Sequence, residues 1–330
     1  MFSIFIAALI ISFLVNLIVI SLSHKYMFFI DASSSKKPQN FHADSTPRAG
    51  GFGILFGMLF LLLAPFGLKL IIPIVLSFLS GIFEDFHNSL SPRFRLALQF
   101  VAAISAIYLT DAVVTYLGLG ISLPYSIAVI FTAFAIVGMM NAVNMIDGFN
   151  GLASGVVLLI LLSFGYTSYQ ENNTELLLVI IVALGAILGF LLLNYPKGKI
   201  FLGDGGAYAL GFIIALIGIF LVSRYESVSP WYILAVFIYP VWEVCFSIIR
   251  KLAIGLSPMQ PDRYHLHMLV YRKITQNNPR TSLYIILAIA PFTLFSTLYP
   301  ANSLANILTI ALFIPSYLIV YRYLRTKENP

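Results

Sequence analysis

Long apolar segments recur along the whole chain, and they constrain its fold more than any other feature. A membrane-crossing helix needs about 20 mostly apolar residues, or somewhat fewer inside a bundle. Eleven segments approach this length, near positions 2–22, 50–66, 68–83, 96–112, 122–140, 152–168, 175–194, 206–222, 231–249, 281–299 and 303–321. Only 10% of residues are charged, so lipid must solvate much of the apolar surface. The sequence predicts an all-α fold, a polytopic transmembrane bundle of about eleven spans forming one integral membrane domain over residues 1–330.

Three further features bound the kind of membrane protein. The first apolar segment lacks a basic start, and Ser23-His24-Lys25-Tyr26 follows it instead of a small-residue cleavage site, so we expect a retained span and no signal peptide. Cys245 is the single cysteine, which excludes an internal disulfide and a cysteine metal cluster. The net charge of +6 is typical of cytoplasmic loops in a membrane protein and does not indicate a nucleic-acid partner.

The basic residues predict the orientation of the chain. If the N-terminus lies outside, all but two of the 19 Lys and Arg residues fall on the cytoplasmic side, and only Lys69 and Arg224 fall outside. With an odd number of spans, the C-terminus is then cytoplasmic. Polar segments richer than a connector needs also gather on the cytoplasmic side, in loops near 23–50, 84–95, 141–151, 195–205 and 250–280.

The third of these loops carries oxygen ligands without any basic residue. Asn141 and Asn144 share a helix face at a spacing of three, and Asp147 continues that face. Gly148 and Gly151 allow the backbone to turn and approach a ligand closely. Such oxygens suit Mg²⁺, which binds through substrate phosphates as well. Helix capping followed by a turn explains the same residue types, so both interpretations stay open at this point.

Acids also stand at two other span ends. Glu84 and Asp85 end the third span. A carboxylate at the C-terminal end of a helix opposes the macrodipole and is slightly unfavourable, so a functional role is favoured over a solvated helix end. Such a pair could bind metal, accept a proton or hold a basic ligand. Asp204 lies between Gly203 and Gly205 at the start of the eighth span, where free N–H groups attract phosphate. A simple N-cap is the alternative for Asp204.

The last loop holds Arg263, His265 and His267 within five positions. Anion recognition by Arg and His is favoured over a zinc site, because no further His or Cys is close in the sequence. A basic loop that holds lipid head groups is the other alternative. Glu243 is the one acid well inside a predicted span, where a carboxylate is costly and is usually functional or paired.

Together these loops provide oxygen ligands for a metal, basic groups for phosphates and glycines for close approach, all at one membrane surface. His42 and Arg48, which precede Gly50-Gly51 in the first loop, add two more candidate substrate-binding residues. Phosphoryl transfer needs metal and cationic groups to neutralise charge and align the reacting groups. The sequence has neither a P-loop nor a G-x-G-x-x-G motif, so a nucleotide would not be held as in soluble enzymes.

Four motifs carry a resemblance to a known family: Asn141-x-x-Asn144-x-x-Asp147-Gly148-x-Asn150-Gly151-Leu152, Leu90-Ser91-Pro92-Arg93-x-Arg95-Leu96, Phe201-Leu202-Gly203-Asp204-x-Gly206 and Pro261-Asp262-Arg263-x-His265-Leu266-His267. With these motifs the chain resembles the polyprenyl-phosphate N-acetylhexosamine-1-phosphate transferases, of the bacterial glycosyltransferase family 4 type, which start lipid-linked glycan synthesis. The resemblance covers residues 31 to about 270. It implies a bacterial inner-membrane enzyme whose site faces the cytoplasm.

The resemblance also implies the substrates and the roles of single residues. A UDP-N-acetyl sugar, with UDP-GlcNAc as the expected donor, would donate the sugar phosphate to undecaprenyl phosphate and release UMP, with Mg²⁺ required and Mn²⁺ as a substitute. Asn144 and Asp204 would hold the metal, and Asp85 would act on the lipid phosphate with Glu84 beside it. Asp147 and Asn150 would contact the uridine side of the donor. Arg263 and His265 would contact the sugar or diphosphate, and His267 would support their loop. A homodimer is compatible with this picture.

The chain departs from the family pattern at several positions, which leaves the donor sugar open. Glu84, Ala207, Met268, Glu243 and Phe41 stand where aspartate, serine, histidine, aspartate and a basic residue are usual. Within the family, a transferase acting on a UDP-muramyl peptide is the alternative. Outside it, a lipid or ion transporter would place polar residues along a path through the membrane, but only one acid is deep. A purely structural membrane protein would not need five polar loops on one side.

Overall fold

A computed structural model describes residues 1–30, 46–87, 91–257 and 262–326. It is built almost entirely from helices, as predicted. In chain order the elements are α1 Phe2–Tyr26, α2 Gly51–Met58 with a 3-10 extension Leu59–Leu63, α3 Gly67–His87, α4 Pro92–Thr110, β1 Tyr116–Gly118, β2 Ile121–Ser122, α5 Tyr125–Ile146, α6 Leu152–Gln170, α7 Thr174–Asn194, α8 Gly203–Arg224, α9 Pro230–Val236, α10 Ile238–Ala253, α11 Leu266–Val270 with a π-helical turn Tyr271–Thr275, α12 Asn278–Leu298 and α13 Ser303–Thr326.

Every predicted apolar segment is helical, but not every one has the length of a span. Within the described ranges, nine helices are long and apolar enough to cross a membrane, and the α9–α10 pair makes ten if it counts as one bent span. The apolar helix over Gly51–Leu63 is shorter than these spans. The protein is therefore a polytopic helical membrane protein, while the count of eleven and the orientation stay predictions.

Two details differ from the prediction. The segment 231–249 is not one straight span, because α9 and α10 meet at an angle of 75°. Pro240 explains the break, since it cannot donate a hydrogen bond to the carbonyl of Val236 and its ring crowds the preceding turn. The connector before α5 also forms a short antiparallel hairpin, in which Tyr116 pairs with Ser122. Gly118 and Gly120 adopt positive φ values of 85° and 80° there, a conformation that glycine tolerates.

Helix α8 is the centre of the bundle. In its most apolar stretch 94% of residues are buried, against 17% in α1, so α8 is surrounded by protein while α1 faces lipid. Small residues let its neighbours approach closely, as is common in membranes. A methyl group on Gly81 of α3 would lie 2.4 Å from the backbone of Asp204, and one on Gly51 would lie 2.6 Å from Gly206. This close packing brings the ends of α2, α3 and α8 together at one surface.

Candidate active site

Asp85, at the end of α3, caps the start of α8. Its Oδ1 accepts a hydrogen bond of 2.9 Å from the backbone N–H of Asp204, and its Oδ2 accepts one of 3.0 Å from Gly205. These N–H groups have no partner inside their own helix, so an acceptor is needed. The sequence left a phosphate site and a helix cap open at this helix start, and in the structure the carboxylate of Asp85 caps these two N–H groups.

Asp204 does not cap its own helix and points its carboxylate at two arginines. Arg48 Nη2 lies 3.4 Å from Oδ1, and Arg95 Nη1 lies 3.2 Å from Oδ2. Arg95 also lies 4.0 Å from Oε1 of Glu84. Asp85, Asp204 and Glu84 are thus brought together with two cations, and the charges nearly balance.

A short backbone ladder positions Arg48. Gly50 donates a 2.8 Å hydrogen bond to the carbonyl of Phe201, and Phe201 donates one of 2.8 Å to Pro47, so the two segments pair in parallel at Arg48 and Phe201. Gly203 follows with a φ of 77°, and a side chain there would lie 2.7 Å from the carbonyl oxygen of Arg48. The same side chain would lie 2.8 Å from Oδ2 of Asp85 at the end of α3. A glycine at position 203 therefore lets the segment of Arg48, the segment of Phe201 and the end of α3 meet at the site.

Asn144 lies at the same membrane surface as Asp204. Helices α5 and α8 cross where a methyl on Gly211 would be 2.7 Å from Cα of Met140. Asn144 follows Met140 by four residues on α5, so it lies about 6 Å from the crossing. Asp204 precedes Gly211 by seven residues on α8, so it lies about 10 Å from the crossing. Both lie on the same side of it, because the end of α5 is within electrostatic range of Asp204.

Asp147 follows α5 and is half-buried. Burial raises the pKa of Asp147 to about 7; the positive charge of Arg48 opposes this shift, and the negative charge of Asp204 adds to it. These influences place Asp147 close to the acid and arginine cluster. Near neutral pH its carboxyl group is partly protonated, so it can donate a hydrogen bond as well as accept one.

Asn150 is buried and its amide is engaged by the protein. Its Nδ2 donates a 3.0 Å hydrogen bond to the carbonyl of Pro196, and its backbone N–H donates one of 2.7 Å to the side chain of Asn278. Next to it, Gly151 donates to Asn194, whose own amide bonds Ile200. Asn150 therefore ties the loops after α5 and α7 together, which leaves less of its side chain for the predicted uridine contact.

The predicted His loop is anchored by Glu243, whose partners the sequence did not indicate. Glu243 is 1% exposed, and its Oε1 lies 3.0 Å from Nδ1 of His265 and accepts a 3.1 Å hydrogen bond from the N–H of Leu266. Tyr317 of α13 donates a 2.8 Å hydrogen bond to its Oε2. The carboxylate does not snorkel to the surface. It fixes the side chain of His265 instead.

His267 packs against the segment that follows α5. The rings of His265 and His267 stack at 5.4 Å with an interplanar angle of 3°, and a methyl on Gly148 would lie 3.5 Å from Nε2 of His267. Burial lowers the pKa of His267 to about 4, so its imidazole is neutral near pH 7. Arg263 is exposed at the edge of the loop. His42 lies outside the described residues.

Arg95 is a site residue that the sequence left open, since its motif indicates a structural helix start at which Arg93 or Arg95 could also meet a phosphate. Ser91 caps that helix by accepting a 3.3 Å hydrogen bond from Phe94, and Pro92 occupies its first turn, so these residues are structural. Arg95 is one turn further, where its side chain reaches α8. The 109 positions between Arg95 and Asp204 explain why spacing alone could not pair them.

The oxygen atoms of this cluster fit a hard divalent cation. In the described ranges, no three His, Cys, Asp or Glu side chains converge into a complete metal site. Mg²⁺ does not require one, because it often takes one or two carboxylates and completes its shell with water and substrate phosphates. Oε2 of Glu84 is buried with no hydrogen-bond partner, which leaves a carboxylate oxygen beside Asp204 with unused acceptor capacity.

An apolar groove lies in the membrane region beside α8. It has a volume of about 580 Å³ and lies between α5, α8 and the bent α9–α10 pair. Phe134, Leu234 and Cys245 are among its lining residues, and Leu117 and Trp231 line it near the hairpin. Such a groove suits a hydrocarbon chain.

The fold and the site together define a class, a polytopic helical membrane protein with a cluster of acids, arginines and a His loop at one surface. The model of a family described as glycosyl transferase family 4 matches residues 67–222, which include Asp85, Asn144 and Asp204. The undecaprenyl-phosphate alpha-N-acetylglucosaminyl 1-phosphate transferase of Thermotoga maritima is 32% identical over 257 residues, covering 78% of this chain and 77% of the relative. The chain belongs to glycosyl transferase family 4, and it is an enzyme.

Two other relatives represent two kinds of transferase. The phospho-N-acetylmuramoyl-pentapeptide-transferase of Streptococcus agalactiae is 30% identical over 237 residues, covering 68% of each chain. A probable undecaprenyl-phosphate N-acetylglucosaminyl 1-phosphate transferase of Bacillus subtilis is 28% identical over 277 residues, covering 79% of this chain and 76% of the relative. The family is therefore clear, while these relatives differ in the sugar that their names give.

Proposed function

We propose that this enzyme transfers N-acetylglucosamine 1-phosphate from UDP-GlcNAc to undecaprenyl phosphate and releases UMP. The observation that carries the proposal is the pairing of Asp204 with Arg48 and Arg95 beside Asp85, at the surface end of the most buried helix. Two relatives that cover over three quarters of the chain carry the name of this activity. The reaction would be the first step in making a lipid-linked glycan.

The proposed reaction exchanges one phosphorus–oxygen bond for another. An oxygen of the lipid phosphate attacks the phosphorus that bears the sugar, and the bond from that phosphorus to the bridging oxygen breaks. UMP leaves with the bridging oxygen, and the lipid keeps a diphosphate that carries the sugar. No water, oxidant or reductant takes part. Arg48 and Arg95 supply positive charge where the phosphates meet, which lowers the repulsion between two anions.

Direct attack by the lipid phosphate suits the geometry of Asp85. Both of its carboxylate oxygens accept hydrogen bonds from the start of α8, which holds them against that helix and weakens them as nucleophiles. The lipid phosphate oxygen is already an anion and needs little activation by a base. Asp85 then acts by fixing the end of α8, and hence Asp204, against α3. A role for Asp85 as base stays a prediction.

A divalent cation, Mg²⁺ with Mn²⁺ as a substitute, would be held by Asp204 and Asn144, with the unpaired oxygen of Glu84 nearby. When bound, it supplies charge neutralisation on the donor diphosphate. Asp204 would exchange its arginine partners for the cation when the metal binds. Its contacts to Arg48 and Arg95 are long, at 3.4 and 3.2 Å, which favours such an exchange. Arg48 and Arg95 would then interact with the phosphates.

The other substrate contacts divide between two loops. Asp147, partly protonated at neutral pH, would donate a hydrogen bond to a uracil carbonyl, with Asn150 holding the loop beneath it. His265 and the exposed Arg263 would face the sugar or diphosphate, supported by His267 through its stacked ring. His42 and Arg48 complete the proposed set. The apolar groove would take the polyprenyl chain.

We place the enzyme in a bacterial cytoplasmic membrane with this site facing the cytosol, where UDP-sugars are made. The distribution of Lys and Arg supports that orientation. All the residues discussed come from one chain, so a homodimer would carry two such sites.

The test is transfer of radiolabel from a panel of UDP-sugars to undecaprenyl phosphate by purified enzyme, with and without Mg²⁺. We expect a labelled lipid and UMP from UDP-GlcNAc, and none after chelation with EDTA. Transfer only from UDP-MurNAc-pentapeptide would support the activity in the name of the Streptococcus relatives instead. No transfer from any UDP-sugar would refute the proposal.

A further inference from the structure

A second charged pocket lies at the far ends of the two helices that carry the site acids. Its volume is about 100 Å³, and it is lined by Lys69 near the start of α3 and Arg224 at the end of α8. Asp85 and Asp204 stand at the opposite ends of the same helices. At 1.5 Å per residue, helices of this length span about 30 Å, so the two sites are separated by the bundle.

The basic residues of this pocket are unusual for their side of the membrane. Lys69 and Arg224 are the two basic residues that the predicted orientation places outside, and both line this one pocket. Cations are depleted on that side, and Lys69 near the start of α3 also opposes the helix macrodipole. Two cations that the positive-inside rule disfavours line one small pocket, and an anion bound between them would account for both.

The charges around the pocket leave a net positive site. Glu175, in the first turn of α7, is the acid among the lining residues. In the described part of the chain it makes no ion pair within 4.0 Å with Lys69 or Arg224, and its position favours its own helix dipole. Both cations are exposed, so a ligand arriving from the membrane surface can reach them.

A neighbouring aromatic ring holds one of the two cations in place. The guanidinium of Arg224 stacks over the ring of Phe220 at 5.2 Å, which restrains it toward the pocket. Asn173 accepts a 2.9 Å hydrogen bond from Leu176, which leaves its amide NH₂ as a possible donor to a ligand. The pocket is too small for a nucleotide sugar and has the size of one phosphate group with its nearest ester atoms.

We propose that this pocket binds the phosphate of an anionic phospholipid head group at the outer face of the cytoplasmic membrane. The phosphate would be held between Lys69 and Arg224. The shared chemistry is a phosphate anion, and free inorganic phosphate is the other source of it. A lipid is favoured because basic pockets between membrane helices are suited to anionic head groups. The bound phosphate would join the outer ends of α3 and α8, so binding should raise the thermal stability of the protein.

The experiment titrates detergent-purified full-length enzyme with short-chain phosphatidylglycerol, phosphatidylcholine or sodium phosphate, and follows Tm. We expect phosphatidylglycerol to raise Tm at much lower concentration than the other two. Lys69→Gln combined with Arg224→Gln should weaken its apparent affinity about thirtyfold. The matched control is Lys25→Gln with Lys197→Gln, which removes two exposed cations elsewhere and should keep the wild-type affinity.

Equal phosphatidylglycerol affinity in wild type and the Lys69→Gln/Arg224→Gln enzyme would overturn the proposal. If inorganic phosphate bound as tightly as the lipid, and the same variant lost both, the lipid assignment would be wrong. If that variant did not fold, Glu175→Gln would decide, because removing the acid should tighten phosphatidylglycerol binding, and unchanged or weaker binding would count against the site. Every measurement is of binding, so the result does not depend on the proposed reaction.

Discussion

Replacing Gly81 by alanine tests whether the contact between α3 and α8 sets the geometry of the site. The new methyl carbon would lie 2.4 Å from the carbonyl carbon of Asp204 and 2.4 Å from the nitrogen of Gly205, whereas ordinary contact begins at 3.4 Å. These atoms are backbone and cannot rotate away, so the two helices must separate by about 1 Å, the difference between those distances. That shift moves Asp204 away from Asp85.

Gly81→Ala should change the rate of the reaction much more than the stability of the protein. Overpacking costs about 1–3 kcal/mol of stability, and the higher helix propensity of alanine returns up to about 1 kcal/mol, so the protein should stay folded. A misplacement of about 1 Å at a reacting centre costs about a hundredfold in rate. We therefore expect kcat/KM for label transfer to undecaprenyl phosphate to fall about a hundredfold, with only a modest change in Tm.

The matched control is Gly165→Ala on α6. There the new methyl would meet Cγ2 of Ile180 at 3.4 Å, an ordinary contact. The control should transfer label at the wild-type rate. Wild-type turnover by Gly81→Ala, measured under the same conditions, would show that the close packing of α3 on α8 does not determine the reactive geometry.

Three further predictions follow from other parts of the site. Glu243→Ala removes the acceptor of His265, Tyr317 and a backbone N–H, which should cost about 3 kcal/mol in denaturant unfolding and lower turnover; an unchanged unfolding midpoint would contradict its anchoring role. Because the pKa of His267 is lowered from 6.5 to about 4, the unfolded chain binds protons more readily between these pH values, so Tm should fall as pH drops from about 6.5 to about 4. The Tm of His267→Asn should fall less steeply over the same range, and equal slopes of Tm against pH would contradict the assignment. Cys245 is exposed and lines the apolar groove, so undecaprenyl phosphate should slow its reaction with a lipophilic maleimide, whereas equal labelling rates would argue against the groove as the acceptor site.

The helices could be predicted from the sequence because the bilayer permits few alternatives. Backbone groups in lipid must bond within their own segment, so each long apolar run becomes a helix. The same argument places polar motifs at helix ends, and Asp204 and Asn144 lie in two of these motifs. The break between α9 and α10 had a visible cause in Pro240, but its angle of 75° depends on packing. The hairpin before α5 is too short for a criterion based on span length to indicate it.

The partners of single side chains could not be predicted from spacing. Glu243 stood out as a buried acid because burial of a charge is costly, yet its bond to Tyr317 spans 74 positions. The role of Asp85 at the lipid phosphate stays a prediction, and its bond to the start of α8, a contact across 119 positions, had no signal in the sequence. Such pairs depend on how helices distant in sequence come together, which periodicity does not encode.

The most direct test of the proposed reaction follows the phosphate that bears the sugar. UDP-GlcNAc carrying radiophosphorus only in that phosphate is incubated with enzyme, undecaprenyl phosphate and Mg²⁺, and the lipid and nucleotide products are separated. Our account predicts that the label appears in the lipid diphosphate and that UMP is unlabelled. Label that remains in the nucleotide, as UDP, while the sugar moves to the lipid would contradict it.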